Sequence, residues 1–539
     1  MRKYILAAAA AVFASTSAAQ APKPPKLLVV ISIDQFSADL FDEYRPQFTG
    51  GLARLASGAA FHNGYQSHAA TETCPGHSTI LTGDHPYRTG IISNNWIDQS
   101  VGRSDKSVYC AEDETAPGSS SINYTVSPKH LLVPTLGELM KQVRSGSRSV
   151  GVAGKDRAAV MMTGHVVDQR WFWNGKTFVT DQKGAPVPQT VVRVDAAIAT
   201  ALTQPRPPLD PPPFCQAKAK PIAVGNGKTV GAGAFGRAAG DAAALRASPE
   251  IDGDTRALAA GLVDEMKLGR GTDPDLLAIS LSATDYVGHS YGTEGEEMCL
   301  QLLELDRELG DFLKLLDSRR IEYAVALTAD HGGNDAPERE RLAGTADAAR
   351  VDPALSPATM GKALTAKLGL SGPGLLGDSP SGDMWIDRKL SAGDRQRLLS
   401  AALDAYRGHP QVEVVFRANQ VAAVPVPTGD PVSWSVIQRV RASYYPGRSG
   451  DFFVVLKRDI TPIADTSSHV ATHGSPWDYD RRVPILFWRP GASGATIEHS
   501  AETTDIMPTL ASMIGVPVQP GSVDGHCLAD VPGAHCAIR

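Results

Sequence analysis

The chain has 539 residues, 42% hydrophobic and 20% charged, with a formal net charge of −6. That length accommodates one large α/β domain with insertions, or two to three ordinary domains, and the balanced composition excludes a disordered or fibrous chain. No dense Lys/Arg stretch with interleaved aromatics occurs, which argues against nucleic acid as a dedicated partner.

Arg2 and Lys3 precede an apolar run at 4–13, and Ser17-Ala18-Ala19 supplies small residues for cleavage. Residues 1–20 read as a secretory signal peptide, since the run is about half the ~20 residues a membrane span needs. No later segment is long and apolar enough to span, so the protein is expected to be exported, periplasmic or secreted. Six cysteines in such a chain predict up to three disulfides. Cys527 with Cys536 would close a short loop; Cys74 with Cys110 and Cys215 with Cys299 are one of several ways to pair the rest.

In chain order, Leu27 to Ile33 predicts a buried strand that stops at Asp34. Pro75-Gly76 reads as a turn opening a helix at 77–82. A strand at 149–153 precedes Lys155-Asp156-Arg157. Asn174-Gly175, between Trp171-Phe172-Trp173 and Thr177-Phe178-Val179, predicts a hairpin, and the Pro-rich stretch 205–213 an extended connector. Two further apolar runs end at Asp285 with His289 and at Asp330-His331. Helices are predicted at 357–368 and 391–406, and strands at 411–416, 451–456 and 483–488. A closing helix at 503–514 ends at Gly515. Strands alternating with helices predict a three-layer α/β/α fold with a mostly parallel central sheet. Residues 21–539 form one domain on this reading, with insertions or caps at about 158–270 and 345–435.

Asp34, Asp285, His289, Asp330 and His331 all sit where apolar strands end, the region where open α/β sheets place function. His473, from Thr-His-Gly-Ser-Pro, completes three Asp and three His, enough for two divalent metals. Such donors suit Zn²⁺, with Mn²⁺ or Mg²⁺ as alternatives. Asp285 and His289 are four apart and share one side of a helical turn. Gly332-Gly333 would let the chain turn tightly so that Asp330 and His331 face one ion. Any one of these pairs could be a helix cap plus a surface histidine; four independent segments outweigh that reading. Asp252-Gly253-Asp254 is either an additional calcium site or a solvated acidic turn.

A metal pair needs a nucleophile, and Thr73 in Thr-Glu-Thr-Cys-Pro-Gly-His-Ser is the candidate. Its hydroxyl is a poor nucleophile until a metal or base activates it. A helix opening there would favour anions at its N-terminus.

Asp34, Thr73-Cys74-Pro75-Gly76-His77, Thr-Asp-Tyr-Val-Gly-His, Ala-Asp-His-Gly and Thr-His-Gly-Ser-Pro together resemble the alkaline phosphatase superfamily, in particular its exported, threonine-dependent, phosphate-irrepressible monoesterase branch. The resemblance runs from about residue 27 to the C-terminal helix. It implies two zinc ions, one held by Asp285, His289 and His473, the other by Asp34, Asp330, His331 and the Thr73 oxygen. It implies a phosphothreonine intermediate, Asn94 as a donor to a phosphoryl oxygen, and activity at alkaline pH on small-molecule phosphate monoesters, as a monomer. Lys155 and Arg157, two apart on an extended segment, would point the same way and match a dianionic monoester.

Other readings remain in view. A phosphodiesterase, nucleotide pyrophosphatase or phosphonate hydrolase of the same superfamily is the nearest alternative; an inactive metal-binding scaffold is the more distant one. The C/S-x-P-x-R sulfatase motif fails, because Gly76 and Ser78 stand where Pro and Arg belong. Gly231-Ala-Gly-Ala-Phe-Gly236 matches a dinucleotide fingerprint only in letters, and the Gly-Lys-Thr triplets at 175–177 and 227–229 lack the P-loop's earlier glycine.

Overall fold

A computed structural model describes residues 23–536; the expected signal peptide lies outside the described residues. The central sheet has nine strands: β1 (Leu27–Ile33), β2 (Ala59–Tyr65), β3 (Ser149–Ala153), β4 (Gln169–Trp173), β5 (Phe178–Val179), β6 (Asp275–Leu281), β7 (Tyr323–Thr328), β8 (Ile485–Trp488) and β9 (Ala495–Glu502). Their spatial order is β9-β2-β8-β7-β1-β6-β3-β4-β5. β1 pairs in parallel with both β6 and β7, and β6 continues in parallel to β3 and β4. β8 runs antiparallel to β7 and β2, and β5 antiparallel to β4.

Alternate residues of β1 face opposite layers, as a strand buried on both sides requires. Val29 and Ile31 pack with Leu258 and Leu262 of α3 (Glu250–Glu265) and Leu305 and Phe312 of α5 (Glu296–Ser318). Leu28 and Val30 pack with Ile80 and Leu81 of α1 (Thr73–Thr82) and Ile506 and Leu510 of α6 (Ile506–Ile514). The three-layer α/β/α expectation holds. The sheet's central strands β7, β1, β6 and β3 present their carboxyl ends together, and the site assembles there.

Several local expectations are corrected. Phe452–Leu456 belongs to a separate four-stranded antiparallel sheet with Leu375–Leu376, Gly382–Ile386 and Val412–Arg417. An apolar strand carries no mark of which sheet it joins. Within the stretch 158–270, β4 and β5 extend the central sheet, and α3 covers it. α1 begins at Thr73 rather than His77, because Pro75 falls in the first turn, where its missing N–H costs nothing. Asp252-Gly253-Asp254 lies within α3, and the Asp252 carboxylate accepts from the Ala283 N–H (2.9 Å) and Gln301 Nε2 (3.0 Å). A buried carboxylate committed to these donors is neither a solvated turn nor a loop-built calcium site. A short strand, Lys228–Val230, does precede Gly231, but no helix follows it; the Gly231 and Gly233 N–H groups donate to Glu297 instead. All three disulfides form as Cys74–Cys110, Cys215–Cys299 and Cys527–Cys536. Among the described residues no helix is long and apolar enough to cross a membrane.

The C-terminal segment is tied to the core through buried His85, whose ring meets Glu502 at 3.0 Å and Asp524 at 3.1 Å. Burial alone would lower the imidazole, but these carboxylates raise it to about 10. A raised folded-state pKa stabilises fully below the unfolded value near 6.5 and loses that contribution as pH rises through about 10. His85→Gln is therefore expected to cost about 3 kcal/mol in chemical denaturation at pH 6 and distinctly less above pH 10. Equal losses at both pH values would contradict the ion-pair account.

Candidate active site

Asp34 follows β1 directly, and its carboxylate is fully buried. β6 leads into α4 (Ala283–Tyr291), which carries Asp285 in its first turn and His289 one turn later on the same side. β7 delivers Asp330 and His331, both fully buried. The glycines after them answer crowding rather than a special dihedral. A Cβ on Gly332 would lie 2.1 Å from the Tyr479 carbonyl, and one on Gly76 would lie 2.0 Å from the Asp330 carbonyl. These contacts lock the Asp330-His331 turn between α1 and the loop that brings His473.

The three histidines share one polarity. Nδ1 of His289, His331 and His473 lies 2.9, 2.8 and 2.8 Å from the carbonyls of Ala471, Gly332 and Thr71. A carbonyl only accepts, so each Nδ1 carries the proton and each Nε2 turns its lone pair inward. There it meets carboxylate oxygen: His289 and His473 lie 3.2 and 3.4 Å from Asp285 Oδ1, and His331 lies 3.2 Å from Asp330 Oδ2 and 3.5 Å from Asp34 Oδ1. The His331 and His473 rings stack at 3.6 Å between centroids, which disfavours charging both.

Lone pairs facing lone pairs in a dry pocket are unfavourable unless a cation lies between them. Asp34 Oδ1, Asp285 Oδ1 and His331 Nε2 are buried without a hydrogen-bond partner. Burial, reinforced by Asp285 and Asp330, pushes the Asp34 carboxyl well above its ordinary range, and burial drives the His331 imidazole down to about 3. Asp285 goes the other way: burial would raise it, yet positive charge facing it, on the His289 ring when that ring is protonated and on Lys155, holds it well below. Ligand atoms of Asp34, Asp330 and His331 lie within 4.8 Å of one another, and so do those of Asp285, His331 and His473. The donor set fits divalent metal, with His331 standing between the two groups and His289 reaching Asp285 from the side.

Thr73 is the first residue of α1, and the Arg157 guanidinium donates to its Oγ1 at 3.4 Å. Lys155 Nζ pairs with Asp34 (2.7 Å) and with Asp285. The two cations reach the same place by a different route from strand alternation: Lys155 is extended, whereas Arg157 sits in the first turn of α2 (Asp156–Thr163). Asp156 steadies that turn by accepting from the hydroxyls of Tyr109 and Tyr124, both at 2.7 Å. Asn94 Oδ1 accepts the Cys74 N–H at 2.8 Å, which orients the amide and leaves Nδ2 as its remaining donor.

The type I phosphodiesterase / nucleotide pyrophosphatase family model matches residues 28–475. The chain belongs to that family, within the alkaline phosphatase superfamily. It is 52% identical to alkaline phosphatase PhoK of Sphingomonas sp over 95% of this chain and 92% of that one. It is 48% identical to alkaline phosphatase PhoD of Zymomonas mobilis over 93% and 88% of the two chains. The crystal structure of wild-type alkaline phosphatase PafA superimposes with a TM-score of 0.82 at 24% identity, covering 95% of this chain and all (100%) of that one.

Two buried residues, unassigned from the sequence, pack against the candidate ligands. His77 Nδ1 lies 2.9 Å from the Thr73 carbonyl and 3.0 Å from Asp330 Oδ2, while its Nε2 meets Ser280 Oγ at 3.0 Å. Its spacing of four from Thr73 on a helix was the available signal. Gln35 is fully buried in the left-handed region (φ 59°), its amide wedged against Gly288 and Gly333, and its N–H donates to Asp330 Oδ1 at 3.2 Å. Nothing in the sequence marks that conformation. Because His331 stands in both donor groups, His331→Ala is expected to lower bound divalent metal, measured by elemental analysis, more than His289→Ala does. Equal losses would remove the shared position of His331.

Proposed function

We propose that this protein hydrolyses phosphate monoesters through a phosphothreonine intermediate at a two-metal centre. The carrying observation is the meeting of the Thr73 hydroxyl and the Arg157 guanidinium beside a buried pocket of inward-facing carboxylates and imidazoles. Three Asp and three His suit zinc best, in the sets Asp285, His289, His473 and Asp34, Asp330, His331 with Thr73. Bound cations would supply Lewis acidity, ionising the Thr73 hydroxyl and a water and offsetting charge at the attacking and leaving oxygens.

Thr73 Oγ1 attacks phosphorus; an O–P bond forms as the bond to the leaving alcohol breaks, and the departing alkoxide takes a proton from water. Water then cleaves the phosphothreonine, returning threonine and releasing inorganic phosphate. Attack occurs at the positive end of α1, where negative charge is favoured. Arg157 and the Asn94 Nδ2 donate to non-bridging oxygens. Lys155 has three donors, two of them taken by Asp34 and Asp285, leaving one for substrate. Two cations at one phosphoryl group match a dianion better than the single negative charge of a diester. Arg2 and Lys3, the apolar run at 4–13 and the small residues Ser17-Ala18-Ala19 support export, with the periplasm or the medium as destination.

Thr73→Ala is expected to retain metal while kcat falls on the order of 10³-fold or more; normal turnover in that variant would dismiss Thr73 as the nucleophile. Lys155→Ala and Arg157→Ala should each lower kcat/KM for an aryl monoester by about 10²-fold and for the corresponding diester far less. If the parent enzyme instead prefers the diester, the nucleotide pyrophosphatase/phosphodiesterase reading replaces this one.

A further inference from the structure

The residues flanking the nucleophile form a closed ring through Asn94. Glu72, extended immediately before α1, accepts the Asn94 N–H on Oε2 at 2.6 Å. Cys74, immediately after Thr73, donates its N–H to Asn94 Oδ1 at 2.8 Å. Asn95 lies opposite Tyr109 in a two-stranded hairpin, Asn95–Ile97 with Ser107–Tyr109, which sets Asn94 opposite Cys110. The Cys110 N–H donates to the Asn94 carbonyl at 2.9 Å. The disulfide from Cys110 back to fully buried Cys74 closes the ring covalently. Every polar group of Asn94 except Nδ2 is thereby committed.

An acidic side chain at position 72 repels an incoming phosphate dianion whenever it is ionised, so its presence beside Thr73 needs an offsetting use. We propose that Glu72 is a positioning residue that, together with the Cys74–Cys110 disulfide, locks the Asn94 amide against the nucleophile segment. Nδ2 then meets the phosphoryl oxygen without reorganising, the condition under which such donors contribute most to catalysis. This inference rests on the reading of Asn94 as a phosphoryl donor.

The test uses metal-loaded full-length enzyme and an aryl phosphate, with kcat, KM and metal content recorded for each variant. Asn94→Ala is expected to lose about 10²-fold in kcat, and Glu72→Ala about 10-fold, both with parent metal content. Glu72→Gln regains most of that loss, because its Oε1 still accepts the Asn94 N–H. Glu72→Ala combined with Asn94→Ala is no slower than Asn94→Ala alone, since no donor is left to position. Removing the disulfide by Cys74→Ala with Cys110→Ala behaves as Glu72→Ala does and likewise adds nothing to Asn94→Ala. Losses that multiply, a Gln variant as slow as the Ala variant, or metal loss on changing Glu72 would each overturn the proposal. Full activity of Asn94→Ala would overturn the donor reading itself.

Discussion

Three imidazoles, each fixed by a backbone carbonyl at Nδ1, turn their Nε2 lone pairs onto the oxygens of three buried carboxylates. No arrangement of protein hydrogen bonds relieves that opposition; positive charge among them does. The surroundings follow from it. Lys155 bridges Asp34 and Asp285, and His77 and Gln35 secure Asp330 from outside. Outer contacts of this kind set ligand orientation and metal affinity.

Holding so much uncompensated charge requires a rigid frame, and the frame is the sheet. β1, β6 and β7 are neighbours in register, so the segments ending at Asp34, Asp285 and Asp330 emerge side by side. The apolar residues of β1 are buried on both faces, each worth about 1.5–3 kcal/mol relative to exposure. That burial sets the positions of the carboxylates. The Gly76–Asp330 and Gly332–Tyr479 approaches then bring the nucleophile helix and the His473 loop against the same strand ends, closer than any side chain would allow.

Family membership does not decide between monoesters and diesters; the proposed discrimination rests on the groups around Thr73. Arg157 touches Thr73 directly, and Lys155 sits at the edge of the metal pocket. The chain belongs to the type I phosphodiesterase / nucleotide pyrophosphatase family, and on the proposed reading Lys155 and Arg157 suit a second negative charge on phosphorus.

The strand ends that carry Asp34, Asp285 and Asp330 were legible because apolar runs that stop at charged residues have few structural alternatives. The spacing of four in α4 likewise follows from helix geometry alone. Other features depend on contacts between segments distant in sequence. Phe452–Leu456 reads as a core strand, yet its hydrogen bonds go to a second sheet; Asp252 reads as solvated, yet α4 and α5 cover it. The left-handed turn at Gln35, the placement of His331 between the two donor groups and the ring around Asn94 likewise exist only in the folded chain. The sequence by itself determined which residue types gather at the strand ends, because local pattern fixes where strands and helices stop. Tertiary structure decided which atoms face one another, because orientation depends on carbonyls and side chains hundreds of residues away.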